Sequence, residues 1–279
     1  MPVAGGASRA GWRSQLLRAV LLLLLCGASL QLYFVARIAW MALLAPQSTA
    51  FQRSEVWRLL QGSQPLHWQQ DWVDNAQIAS SLKRAVIASE DAGFVDHNGV
   101  EWDALEQAWE KNQRAEALAA KRNAQLEQRN ARLEKRSPPK PPLPGQAGAA
   151  VTPKVEPKLV GGSTISQQLA KNLFLSAERT AVRKAQEFVL TLTLEALLSK
   201  QRILEIYLNN VEWGEGVFGA QAAAQHYFHV DAARLPAGAA ARLAVMLPAP
   251  KRFEKNPGSA YVSGRAATIT ARMGAVAVP

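Results

Sequence analysis

Apolar residues crowd one early stretch of the chain and afterwards recur with a helical rhythm. From Ala19 to Ala36 the sequence reads AVLLLLLCGASLQLYFVA, and beyond Arg37 the apolar character resumes as IAWMALLAP. Such a run is long enough to cross a bilayer with some tilt, and it predicts one membrane-spanning helix over residues 19–45. A cleaved signal peptide is the competing reading, because arginines, leucines and then small residues fit it too; the apolar stretch is longer than an ordinary signal core. Further on, IASSLKRAVIASED sets Ile78, Leu82, Ala85, Val86 and Ser89 at helical spacing.

GGSTISQQLAKNLFL carries its own start signal. Two glycines precede Thr164 and Gln167, a T-x-x-Q capping box, so a helix is expected to begin near Ser163. In that helix Ile165, Leu169 and Leu173 share one stripe, while Gln167, Gln168 and Lys171 share another. One face packs; the other presents amides and a cation. Helical patterns continue through VRKAQEFVLTLTLEALLSKQRILEIYLNNVEWG and ARLAVMLPAPKRF, and no alternating run of strand length recurs at regular spacing. The fold class expected is mainly α. Trp57, Trp68 and Trp72 suit a core or a lipid interface equally.

Composition divides what the periodicity leaves together. Residues 103–135 are rich in Ala, Glu, Lys, Leu, Gln and Arg, and the following SPPKPPLPGQAGAAVTPKVEPK holds seven of the fifteen prolines. That reads as a charged helix leading into a semi-rigid extended segment. The organisation expected is a short N-terminus (1–18), the anchor (19–45) and one domain (46–279) interrupted by an insertion at about 113–160.

Charge adds a direction. The net charge of +10 calls for anionic partners, whether nucleic acid, phospholipid head groups or phosphorylated substrates. Arg9, Arg13 and Arg18 precede the apolar run and no acid appears before Glu55, so the positive-inside rule keeps the N-terminus in the cytoplasm and exports the chain beyond Pro46. Cys26 is the only cysteine, which rules out an intramolecular disulfide.

Several groups are candidates for chemistry. ASEDAGFVDHNGVEW puts Glu90 and Asp91 at the end of an apolar helical pattern, close to Phe94 and His97. Arg183 and Glu187 stand four apart on one helical face, an arrangement also common in surface ion pairs. Ser80 and Lys83 match S-x-x-K, but neither S-D-N nor K-T-G follows. His226 and His229 lack further ligands nearby in sequence for a zinc site.

Taken together and in order, SEDAGFVDHNG, GGSTISQQLAKNLFL, RKAQE and KQRILEIYLNNVEWGEGVFG strongly resemble the peptidoglycan glycosyltransferase family, which includes the class A penicillin-binding proteins. The chain is similar to the monofunctional members, since one further helix follows LPAPKRFEKNP and no transpeptidase domain. The resemblance implies a lysozyme-like, mainly α domain behind one transmembrane helix, on the periplasmic side of the bacterial inner membrane. It implies polymerisation of lipid II into β-1,4-linked glycan strands, with inversion and release of undecaprenyl pyrophosphate.

By motif position, Glu90 then resembles the general base, and Glu187 the second glutamate that orients the cations or acts on the leaving group. Lys171, Arg179 and Lys184 would hold the pyrophosphate, with Arg183 beside them, and Gln168, His97, Ser163 and Thr164 would line the cleft. The resemblance fixes no cofactor and allows for a divalent cation such as Mg or Mn. The partners implied are lipid II, the growing glycan and membrane lipid, with other cell wall synthesis or division proteins and no nucleic acid. One departure stands out: about forty additional residues lie between Asn112 and Gly161. Two other classes compete, a glycan-cleaving lysozyme-like enzyme, which also needs a cleft glutamate, and a non-catalytic scaffold.

Overall fold

A computed structural model describes residues 9–62, 67–136, 155–156, 162–176, 178 and 180–279. Helices dominate, as the hydrophobic pattern requires, and the chain forms two compact units: residues 1–100 with 164–279, and residues 101–163.

In the first unit, α1 (Arg9–Met41) is a single long apolar helix. Residues 12–30 are exposed along their whole length, as expected of a lipid-facing surface. From Gln31 the helix changes character. Gln31, Phe34, Ile38 and Met41, spaced three, four and three apart, turn inward, and Ile38 is fully buried. The last turns of this helix therefore belong to the folded domain. Arg202 Nε donates to the Met41 carbonyl at 2.8 Å, which ties down the helix end.

After α1, Thr49 caps α2 (Ala50–Leu60) through a reciprocal capping box with Gln52. The three tryptophans then diverge. Trp57 is largely exposed, Trp68 stacks on Phe218 with centroids 4.4 Å apart, and Trp72 packs on the core beneath the Arg202 guanidinium.

The apolar positions read from the sequence bury α3 (Ser80–Glu90): Leu82, Ala85 and Val86 are all inaccessible. Across α3 lies α9 (Ala237–Met246), whose Ala240, Ala241 and Ala244 allow close approach, and α11 (Ala260–Arg272) packs against both. On another side, α5 (Ile165–Phe174) packs on α6 (Ala181–Leu197) and on α7 (Lys200–Asn210). A small sheet, β1 (Gln69–Gln70) parallel to β3 (Val217–Phe218) and β2 (Glu212–Gly214) antiparallel to β3, closes the far end of α7. Asn209 joins the two: its Oδ1 accepts from Val73 N–H and its Nδ2 donates to the Val73 carbonyl, both at 2.9 Å. Gly219, at φ +84°, leads into α8 (Ala220–Phe228), and a Cβ there would meet the Asn209 carbonyl oxygen at 2.7 Å. The short α10 (Pro250–Phe253) lies beside β2.

The second unit is built on α4 (Trp102–Arg136), one uninterrupted helix. Its inward stripe includes Ala108 and Ala119. Asn123 brackets the Val155 backbone, with Nδ2 donating to the carbonyl at 3.0 Å and Oδ1 accepting from the N–H at 2.8 Å. Gly162 comes close enough to α4 that a Cβ would stand 2.9 Å from that of Ala108. The residue at which the insertion was expected to begin, 113, thus falls in mid-helix. Most of the proline-rich stretch lies outside the described residues.

Candidate active site

Helix α3 ends at Glu90 and its C-cap is Asp91, so the two adjacent carboxylates leave the helix in different directions. Asp91, almost fully buried, accepts the Ile165 N–H on Oδ2 at 2.9 Å and the His97 ring on Oδ1 at 2.8 Å. Gly99 N–H donates to His97 Nδ1 at 3.1 Å, which leaves Nε2 carrying the ring hydrogen toward Asp91. Asp91 thereby satisfies one of the open amides at the start of α5 and fixes the loop after α3. Gly99 has φ +89°, and a Cβ on it would collide with Glu195 and Thr191 of α6 at 2.8 Å.

Glu90 faces the other way. Gln168, on the polar stripe of α5, donates from Nε2 to Glu90 Oε2 at 3.0 Å. Behind it the hydroxyl of Tyr207, a fully buried α7 residue, donates to Gln168 Oε1 at 2.9 Å. Tyr207 thus decides which end of the amide meets the carboxylate. Desolvation is the largest influence on Glu90 and raises its pKa, Asp91 adds to this, and the Gln168 and Ser89 hydrogen bonds and Lys171 oppose it; the net shift is upward.

The second carboxylate has the opposite surroundings. Glu187 is buried on α6, with Arg183 Nη1 3.0 Å from Oε2 and Lys184 Nζ 2.5 Å from Oε1. The four-residue spacing produces the Arg183 pair, as the sequence pattern requires; what makes it more than a surface ion pair is the depth of Glu187. Arg183 Nε is itself buried and has no hydrogen-bond partner among the described residues. Lys171 is exposed as a residue. Desolvation leads the causes that lower its pKa, Arg183 and Lys184 lower it further, and Glu187 and Glu90 oppose them. Lys171 therefore stands within electrostatic reach of both glutamates, in a group of three cations around one buried anion.

Of the remaining expected site residues, Gln168 joins Glu90 as described, and His97 has both ring nitrogens engaged by Asp91 and Gly99. Thr164 is the N-cap of α5, one residue after the expected start. Its hydroxyl accepts from Gln167 N–H at 3.2 Å and donates to the Gly99 carbonyl at 2.6 Å. Ser163 is exposed and belongs to the second unit, and Arg179 lies outside the described residues. Sequence reasoning missed Tyr207 and the bracing role of Asp91, along with Ser166, whose hydroxyl donates to Glu195 at 2.5 Å. Only the tyrosine in the largely aliphatic ILEIYL run, which also holds Glu205, offered a signal. Neither weak motif becomes a site: Lys83 Nζ donates to the Asn75 carbonyl, and His226 packs edge-on to Tyr227 while His229 caps α8 in the left-handed region.

This arrangement of a desolvated carboxylate facing a fixed amide, next to a cation cluster with a spare buried donor, suits proton abstraction beside an anionic leaving group. Comparisons with known proteins point the same way. A family model described as Transglycosylase matches residues 60–121 and 144–274. Biosynthetic peptidoglycan transglycosylases resemble the chain closely: that of Bordetella pertussis is 43% identical over 274 residues, 98% of each chain. That of Paraburkholderia phytofirmans is 45% identical over 250 residues, covering 89% of this chain and 87% of its own. The protein of Burkholderia orbicola is 44% identical over 249 residues, 89% and 85% of the two chains. The domain of this family is lysozyme-like and mainly α, as the helical architecture requires, and with a family match over most of the chain and relatives this similar along nearly its full length, the chain belongs to the transglycosylase family.

Proposed function

We propose that this protein is a peptidoglycan glycosyltransferase of cell wall synthesis that polymerises lipid II into β-1,4-linked glycan and releases undecaprenyl pyrophosphate. The observation that carries the reading is the pairing of Glu90, held by Gln168, with Lys171, Arg183 and Lys184 gathered around buried Glu187. In the step proposed, Glu90 takes the proton of the acceptor 4-hydroxyl while that oxygen bonds to the anomeric carbon of the growing chain. The bond from this carbon to the pyrophosphate oxygen breaks, and its electron pair leaves with the lipid pyrophosphate. Attack opposite the leaving group inverts the anomeric centre.

Charge gathers on the departing pyrophosphate, and fixed cations in a water-poor cleft stabilise it far more than water does. Lys171 and Lys184 have ammonium groups to offer, and Arg183, paired with Glu187, adds its positive charge beside them. Glu187 orients these cations, since both its oxygens already accept from Arg183 and Lys184. A divalent cation, if one takes part, would be held chiefly by the phosphate oxygens of the substrate, since both oxygens of Glu187 are already engaged.

Helix α1 has the length and apolar character to span a membrane. With Arg9, Arg13 and Arg18 in its first turns, ahead of the apolar run that begins at Ala19, the orientation proposed holds the N-terminus in the cytoplasm and the catalytic unit on the periplasmic side of the inner membrane.

Incubating the purified full-length protein with lipid II and resolving the products on gels tests the reading. Ladders of lengthening glycan are expected. Cleavage of mature glycan without ladders would replace it with a lysozyme-type hydrolase, the alternative that also uses a cleft glutamate.

A further inference from the structure

The membrane helix contacts both helices that carry the cations. Gln31 of α1 and Gln186 of α6 exchange reciprocal amide hydrogen bonds, Gln31 Nε2 to Gln186 Oε1 at 2.7 Å and Gln186 Nε2 to Gln31 Oε1 at 3.2 Å. Gln186 directly precedes Glu187. One turn further along α1, Phe34 meets Phe174 edge-on at 5.3 Å, and the Arg37 guanidinium lies 5.7 Å from the same ring. Phe174 ends α5, three residues after Lys171.

The stretch of α1 that carries the pair has the composition of a lipid-embedded helix. Between Arg18 and Arg37 the chain carries no charge over 18 residues, roughly 27 Å of helix and close to the thickness of a hydrocarbon core. Gln31 falls in the outer part of that stretch. On α6, Val182, Ala185, Val189 and Leu192 form an exposed apolar row, the surface expected of a helix that dips into the same leaflet beside α1. Phe34, Ile38 and Met41 provide contact area, but apolar contact is non-directional and tolerates slippage. A shift of α1 along α6 would strand two amides where water is scarce, so the pair sets register as a buried polar residue does in a coiled-coil seam.

We propose that Gln31 and Gln186 are positioning residues: the amide pair fixes the register of the transmembrane helix on α6 and thereby the placement of Glu187 and the cations it orients. This rests on the glycosyltransferase reading of the site. The anchor is then part of the machinery that receives the lipid pyrophosphate.

The test uses full-length protein in phospholipid vesicles as wild type, Gln31→Leu, Gln186→Leu and the double variant. Affinity for a polyprenyl pyrophosphate, lipid II turnover per folded molecule and thermal midpoint are measured on each. Each single variant loses both hydrogen bonds of the pair and is expected to weaken affinity and turnover at least about five-fold, and to lower the midpoint. In the double variant two leucines face each other, so the midpoint should recover while affinity and turnover stay impaired. Function that recovers together with the midpoint, or single variants that match wild type, would overturn the positioning role while leaving the glycosyltransferase reading intact. Wild-type protein that makes no glycan overturns both.

Discussion

The Tyr207 hydroxyl lies 2.9 Å from Gln168 Oε1, and through that contact a buried phenol on α7 determines which face of an amide is turned to Glu90. Burial has raised the tyrosine's own pKa well above its ordinary value, with Glu90 and Asp91 adding to the effect, so its hydroxyl stays a donor across the working range of pH. The amide nitrogen of Gln168 is left with one direction to point.

Glu90→Gln should abolish glycan synthesis while the protein stays folded and still binds a polyprenyl pyrophosphate, because the amide keeps the shape of the carboxylate and cannot accept the proton. Turnover of lipid II and ligand affinity, measured side by side, check this. Retention of most of the wild-type rate would shift the role of base to Glu187.

The pH profile is set by the environment of the same residue. Glu90 acts as a base only when ionised, and its pKa is raised from 4.5, so the acid limb of kcat/KM should lie above the usual carboxylate range. The Gln168 hydrogen bond favours the ionised form, so Gln168→Leu should move that limb to still higher pH. Tyr207→Phe should shift it the same way and less far, since the amide remains but loses its orientation. An acid limb that stays put in both variants would disconnect the relay from the base.

Lys171→Ala should impair ligand binding and turnover together, by an amount on the order of 2 kcal/mol or more in the transition state. Glu187→Gln should resemble it more than it resembles Glu90→Gln, because Arg183 and Lys184 lose the anion that holds them. If Glu187→Gln removed turnover and left pyrophosphate affinity untouched, Glu187 would be acting directly on the reacting atoms.

Away from the site, Glu212 on β2 is buried, and desolvation pushes its pKa up to about 7 despite Lys251 Nζ at 3.4 Å. The folded chain therefore holds a proton that the unfolded chain releases between about pH 4.5 and 7. Stability from this group is present at the acid end of that window and is lost as pH rises through it. Glu212→Gln should leave the thermal midpoint unchanged at the acid end and raise it at pH 8, flattening the difference between the two. An unaltered difference would show that Glu212 is ionised throughout.

Local features were legible in the sequence. The Thr164–Gln167 box, the Ile165–Leu169–Leu173 stripe and the Arg183–Glu187 spacing all involve residues within two or three turns of one helix, where geometry follows from chain position alone. The Tyr207–Gln168–Glu90 relay joins three helices, and no local pattern encodes it. Asp91 reads as half of an acidic pair until Ile165 is brought to it from 74 positions away. The docking seam of α1 was hidden by the leucines around it, since a uniformly apolar run has no periodicity to read; Gln31 was the one amide that interrupted it. The net direction of the Glu90 shift needed the fold as well, because neighbouring cations and the apolar wall pull oppositely.

The short bond from Thr164 to the Gly99 carbonyl has a meaning beyond its role at the start of α5. The chain leaves the first unit just after Gly99 and re-enters it at Thr164, and this bond fastens the exit to the return. The entropy of bringing the two ends together grows only slowly with what hangs between them, by about 0.6 kcal/mol for each doubling of the loop's length, so the same closing bond serves a short interruption or a long one. The first unit is thus buffered against the length of its own interruption: lengthening or shortening residues 101–163 costs it little so long as Gly99 and Thr164 still meet.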